Sequence, residues 1–188
     1  MHAYVIGNTA LDETYAVSDL PKGGESIFGT VVASNVGGKG SNQAIVLSRC
    51  GVPTTLIAAV GIDARANIVR ASMEKEGLAS GLISLPSRAT DVSVILRLTD
   101  GENAIVTTTD SADNLRFDEI RPLIANADPG DVVVMQGNLS AETTIEVMHH
   151  AKQRGMIVAF NPSPLRDYFS AIWPYVDIVF VNAGEAIA

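Results

Sequence analysis

One cysteine, one tryptophan and an aromatic share of 5% leave this 188-residue chain without much of what several protein classes depend on. Because Cys50 stands alone, no intrachain disulfide can form, and no Cys/His cluster has zinc spacing. A reducing, cytoplasmic setting is the simplest expectation. Basic residues are scarce as well: 13 Lys and Arg against 21 Asp and Glu give a formal net charge of −8, and no basic run could track a phosphate backbone. The expected partners therefore do not include nucleic acid. No stretch reaches the roughly 18 apolar residues of a membrane span. The start, MHAYVIGNTALDETYAV, has neither a basic n-region nor a small-residue cleavage site. A soluble, unexported protein with no membrane partner is expected.

What the chain does have is apolar residues, 47% of the total, in enough length to bury one core. They fall into short β-rich runs: AYVIG (3–7), TLIAAV (55–60), DVVVMQ (131–136), MIVAF (156–160) and DIVFV (177–181). Runs apolar on both faces suit strands covered on both sides. Helix-like segments lie between several of them, each closed by a glycine: Gly51, Gly77 and Gly155. That alternation predicts a doubly wound, parallel α/β sheet in a single domain spanning 1–188. Two regions break the rhythm. Residues 12–36 hold two β-like pieces around LPKGGE, and 92–109 place Asp100-Gly101 between two β-branched runs, a hairpin signal. These four strands are expected to form a small sheet of their own. At the end, DIVFV reads as a core strand and NAGEAIA as the start of a helix, so a βα unit looks cut short at the C-terminus and its edge exposed.

The stretch richest in chemistry is Asn35-Val36-Gly37-Gly38-Lys39-Gly40-Ser41-Asn42-Gln43, where a strand gives way to a helix. Glycines there allow close ligand approach, and the free N–H groups of a helix start favour anionic or hydroxyl-rich ligands. Neither the P-loop spacing nor the dinucleotide fingerprint is present. With its neighbours the stretch resembles the ribokinase, or phosphofructokinase-B type, carbohydrate kinases, whose signature Gly-Gly-Lys-Gly-x-Asn-x-Ala is reproduced by Gly37, Gly38, Lys39, Gly40, Asn42 and Ala44. The resemblance runs along the whole chain. Gly7 and Asp12, Leu20-Pro21 with Gly24-Glu25, Gly61 with Asp63, Gly101-Glu102-Asn103, Asn161-Pro162, and Asn182 with Glu185 match further family motifs in order.

The resemblance implies a three-layer ribokinase-like fold with a small β-lid and ATP- and Mg2+-dependent phosphorylation of a sugar hydroxyl. It assigns substrate contacts to Asp12, Gly37, Gly38, Lys39, Asn42 and Asn138, nucleotide contacts to Asn182 and Glu185, and metal binding to Glu185. It also implies a homo-oligomer formed through lid or sheet edges. The family's catalytic base lies in a C-terminal Gly-Ala-Gly-Asp segment, so the base is expected beyond residue 188 and the chain alone is expected to be inactive. Ala10 and Asn138 stand where ribose-type members carry Asn and Glu, Ala66 replaces a Gly, and Ser111-Ala112-Asp113 replaces Gly-Ala-Asn.

Plainer readings exist for single residues. Asp12 alone could end a strand in a turn, Lys39 could be a solvated lysine, and Asn182 with Glu185 could be a capping pair. Adjacent His149 and His150 point about 100° apart on a helix and cannot pair on a metal. Cys50 reads as a small buried hydrophobe. Three functions stay open: a sugar kinase represented by an incomplete chain, a nucleoside kinase of the same family, and a non-catalytic sugar-binding or degenerate remnant.

Overall fold

A computed structural model describes residues 1–78 and 81–187. The chain opens with β1 (Ala3–Ile6), β2 (Ala10–Val17) and β3 (Gly29–Gly37), followed by α1 (Lys39–Arg49) and β4 (Thr54–Val60). Next come α2 (Ala64–Lys75), β5 (Leu82–Ser84), β6 (Val92–Arg97) and β7 (Asn103–Thr107). Two short helices, α3 (Asp110–Asn114) and α4 (Phe117–Ile120), lead through a 3-10 turn to β8 (Val132–Gln136), α5 (Ala141–Gln153), β9 (Ile157–Asn161) and β10 (Ile178–Val179).

Six strands form a parallel sheet in the order β10-β9-β8-β1-β4-β5. Its strands alternate between two cores. Tyr4, Ile6, Ile57, Val133, Met135 and Phe160 join one, with Val147, Met148 and Ala151 of α5 against them. Val5, Leu56, Ala58, Val60 and Val134 join the other, under Ala44 of α1 and Val69 and Met73 of α2. Two apolar faces need two covering layers, and the 3.6-residue spacing of α1, α2 and α5 supplies them. The three layers are the ones the βα alternation predicts. Each major helix ends at a glycine in the left-handed region, with φ of 80° at Gly51, 68° at Gly77 and 71° at Gly155.

The remaining four strands make a second sheet in the order β3-β2-β6-β7, so both interruptions in the rhythm contribute to the lid. Each half is an antiparallel hairpin, and the two join through the parallel pair β2 and β6.

Four details differ from expectation. Strand β5 lies on the sheet edge and has too few residues to show a period. The run 177–181 contributes only the two residues of β10; Ile178 and Val179 are about half exposed because β9 alone flanks them. Residues 183–187 form turns rather than a helix, since one capped turn of so few residues does not propagate. Cys50 is exposed at the C-cap of α1, on the side of the helix turned from the core.

Candidate functional site

In open α/β sheets, ligands settle at the C-terminal strand ends where the chain switches from building one side of the sheet to building the other. Here that point lies between β1 and its neighbour β8. Asn8, just after β1, Asn138, just after β8, and Ser163 and Pro164, after β9, line a cavity of about 470 Å3. The start of α1 forms one wall through Gly38, Lys39 and Asn42. The lid closes over it with Asp12, Ser93, Ile95, Ile105 and Thr107, and Thr109 follows at the lid exit.

The glycine-rich stretch is explained by what it packs against. A side-chain carbon at Gly37 would overlap the Asp12 carboxylate. Gly38 has φ 94°, a conformation L side chains rarely adopt, and a Cβ there would lie 2.9 Å from Asn8 O and Thr9 Cα. The first amides of α1 find acceptors across the chain: Gly40 N donates to Asn8 Oδ1 at 3.4 Å and Ser41 N to Asn8 O at 3.2 Å. Asn8 thus caps α1 from the end of β1, a task normally given to the residue preceding the helix.

Two acceptors at the cavity have no partner among the described residues, Asp12 Oδ1 and Asn138 Oδ1, and both are buried. A buried polar oxygen without a partner costs about 1–3 kcal/mol, so such atoms on a cavity wall are poised for ligand donors. Lys39, exposed at the helix start, and Asn42 bring donors to the same space. Asp12, Gly38, Lys39, Asn42 and Asn138 therefore share one cavity, and Gly37 borders it through Asp12.

Asn182 and Glu185 do not line it. They sit beyond the end of β9, where Glu185 N donates to Asn182 Oδ1 (2.8 Å) and Asn182 N donates to Glu185 Oε2 (3.1 Å). Asn161 Nδ2 donates to the same Oε2 at 3.1 Å. The amide of Asn182 and the Ser163 hydroxyl hold the Glu185 carboxyl below its ordinary value, with Asn161 and the charge of Lys39 adding to the effect. The capping geometry is present, and Lys39 links this corner electrostatically to the cavity. Among the described residues no three His, Cys, Asp or Glu side chains gather as a self-sufficient metal site. A lone carboxylate does fit magnesium that arrives on a nucleotide, because Mg2+ is commonly held by one or two carboxylates, waters and substrate phosphates.

The base of the lid is stitched by two consecutive residues. Thr90 donates its N–H (2.8 Å) and its hydroxyl (2.7 Å) to Asp63, which also caps α2 through Ala66 N at 2.9 Å. Asp91, 1% exposed, accepts from Ser111 N (3.1 Å), Ala112 N (3.0 Å) and the Thr108 hydroxyl (3.4 Å). Burial pushes its carboxyl up to about 6, against the pull of those donors and with the Asp110 charge adding to the rise.

Sequence reading passed over Asn8, Ser93, Ile95, Ile105, Thr107, Thr109, Ser163 and Pro164. For four of them the signal is alternation, which shows only a shared face, Ser93 with Ile95 and Ile105 with Thr107, and not that this face meets the cavity. Asn8, Ser163 and Pro164 carry no such signal.

Comparison with known proteins shows the family and the fold. The sequence profile of the pfkB family carbohydrate kinases matches residues 2–188. The ribokinase of Bacillus subtilis is 25% identical over 182 residues, covering 97% of this chain and 62% of that protein. The structure of ribokinase from Giardia lamblia superposes with a TM-score of 0.88 at 31% identity, over 99% of this chain and 59% of the other. Ribokinase from Cryptococcus neoformans var. grubii, solved in complex with ADP, gives 0.79 at 27% identity over 98% and 59%. The chain thus spans about three fifths of the length of such relatives.

Proposed function

Because the chain belongs to the pfkB family of carbohydrate kinases, we propose that it supplies the sugar-binding part of an ATP-dependent kinase acting on a sugar or sugar-derivative hydroxyl. The observation that carries this reading is the buried, unpartnered Asp12 Oδ1 beside Lys39, Asn42 and Asn138 in one cavity. A carboxylate acceptor set among amide and ammonium donors suits a ligand that offers several hydroxyls, each both donor and acceptor. Such a site discriminates strongly, because a missing hydroxyl leaves a buried partner unpaired. Among the described residues no aromatic ring lines the cavity, which favours a sugar over a nucleoside whose base would need a stacking surface.

In this proposal ATP is the phosphoryl donor, in keeping with the ADP held by the Cryptococcus relative. Asn182 and Glu185 would meet its phosphates, with Glu185 one ligand of the accompanying magnesium. The metal supplies neutralisation of phosphate charge when bound. The chain's own residues bind and orient the sugar: Asp12 accepts from its hydroxyls, Lys39 and Asn42 donate, and the lid excludes water above it. Residues 1–188 act as one incomplete ribokinase-like unit in the cytoplasm, and phosphoryl transfer belongs to the whole protein. No helix among the described residues is long and apolar enough to cross a membrane.

Calorimetric titration of the 188-residue chain with aldoses, alditols, sugar acids and nucleosides tests the binding reading. A sugar should bind, and Asp12→Ala should weaken it about 10- to 150-fold, the scale of charged hydrogen bonds. Failure of every sugar, or indifference to Asp12→Ala, sinks it. A coupled ATPase assay on the same chain separates the kinase part from a non-catalytic binder: turnover near background is expected here, and sugar-stimulated turnover would place the catalytic machinery within these residues.

A further inference from the structure

Four side chains stand in line across the lid sheet. Register pairs Asn35 with Asp12, Asp12 with Ser93, and Ser93 with Thr107. Residues paired directly across neighbouring strands project from one face, and Asp12, Ser93 and Thr107 all line the cavity. The next row pairs Thr14 with Ile95 and Ile95 with Ile105. The roof therefore changes from hydroxyl-bearing beside Asp12 to aliphatic one row further out.

Hydrogen bonding within the polar row has a direction. The Thr107 hydroxyl donates to Ser93 Oγ at 3.2 Å. Ser93 is 8% exposed, and with its oxygen accepting from Thr107 its own proton is left to donate. Its neighbour in the row, Asp12, keeps a buried Oδ1 with no partner among the described residues. A hydroxyl is one donor and an acceptor at once, so a single ligand hydroxyl between the two accepts from Ser93 and donates to Asp12. An ether or carboxylate oxygen would satisfy Ser93 alone, and an ammonium group Asp12 alone.

We propose that Ser93 is a specificity-determining residue which, oriented by Thr107, reads the same substrate hydroxyl that Asp12 holds. The site then selects a polyhydroxylated sugar over the analogue deoxygenated at that one carbon. This rests on the sugar-binding reading above. Ile95 and Ile105 offer no polar partner, which confines the selection to the inner end of the cavity and leaves the outer end to carbon-bound hydrogen.

The test is calorimetric titration of the 188-residue chain, native and Ser93→Ala, with the tightest-binding aldose and its full set of monodeoxy analogues. Ser93→Ala should weaken the parent sugar about three- to tenfold, the scale of a neutral hydrogen bond. One monodeoxy analogue alone should bind both proteins equally, having already lost the group that Ser93 reads. Thr107→Val, which keeps the shape, should give a smaller loss with the same analogue indifferent, and this second variant decides the matter if Ser93→Ala fails to fold. Ser93→Thr should retain the selection. Equal losses across all analogues, or none on any, overturn the proposal while sugar binding persists. A native chain that binds no sugar overturns the underlying reading, and this inference with it.

Discussion

Gly37 and Asp12 are neighbours in space across two strands, though not register partners: a methyl group at Gly37 would occupy the volume taken by the Asp12 carboxylate. The glycine is required by what its neighbour strand carries, because Gly37 ends β3 beside the strand that holds Asp12. Gly37→Ala should therefore displace the carboxylate and weaken sugar binding roughly as much as losing its hydrogen bonds, about 1.5–3 kcal/mol. Circular dichroism should show the fold retained. Unaltered affinity would mean that Asp12 is not where the ligand binds.

Asp91 sets a pH dependence of stability. Its carboxyl rises from the ordinary 3.8 to about 6 on folding, so between those values the folded state holds more protons than the unfolded one. Stability carried by Asp91 then falls as pH rises through that window and is level above it. Relative to Asp91→Asn, which cannot ionise, the native chain should lose about 2 kcal/mol between pH 4 and pH 7. Urea denaturation of both proteins at several pH values measures this, and a constant difference between them would refute it.

Ribose should not lead the sugar panel. Asn138 presents a neutral amide to the cavity, and Ala10, fully buried two residues before Asp12 on the same strand, carries no polar side chain. Each missing polar contact is worth about 0.5–1.5 kcal/mol. Competition titrations between ribose and other aldoses decide the ranking, and ribose in first place would contradict the expectation.

The isolated chain should self-associate. Among the described residues β3, β7 and β10 each pair on one side only, and Val31, Val32, Ile105 and Val106 are exposed on the lid edges. Such edges recruit further strands. A net charge of −8 opposes contact between copies, so light scattering should show association growing with protein concentration and with salt, which screens the repulsion. A monomer under all these conditions would show that the edges are protected.

The sequence made the central sheet legible because the information was local. A strand buried on both faces is apolar throughout, as in Val132–Gln136, and a helix that must stop does so at a glycine, as at Gly155. The cavity was legible where it lies within one stretch, from Gly37 to Asn42. Its roof was not, for a reason of register. A two-residue turn at Asp100-Gly101 would set Ser93 opposite Thr108. The actual loop instead closes through Leu98 N to Glu102 O and Gly101 N to Leu98 O, and pairs Ser93 with Thr107. A slip of one residue exchanges the two faces of a strand, so hairpin existence could be read while its cavity-facing residues could not. Asp91 was hidden differently, because its partners Ser111 and Ala112 act through backbone amides that no side chain announces.

The row Asn35, Asp12, Ser93, Thr107 also bears on how the chain folds. Each hairpin of the lid is made from nearby residues, and such local pairs form early and quickly. Joining them through Asp12 and Ser93 closes a loop that contains α1, β4, α2 and β5, and the entropy of that closure must be met before the contact is rewarded. The cavity beneath the lid thus comes into being late, in the same step that docks one hairpin against the other. A chain still growing past residue 90 carries Asp12 on half of the lid, and the cavity is completed with the last lid strand rather than with the glycine-rich stretch that marks it.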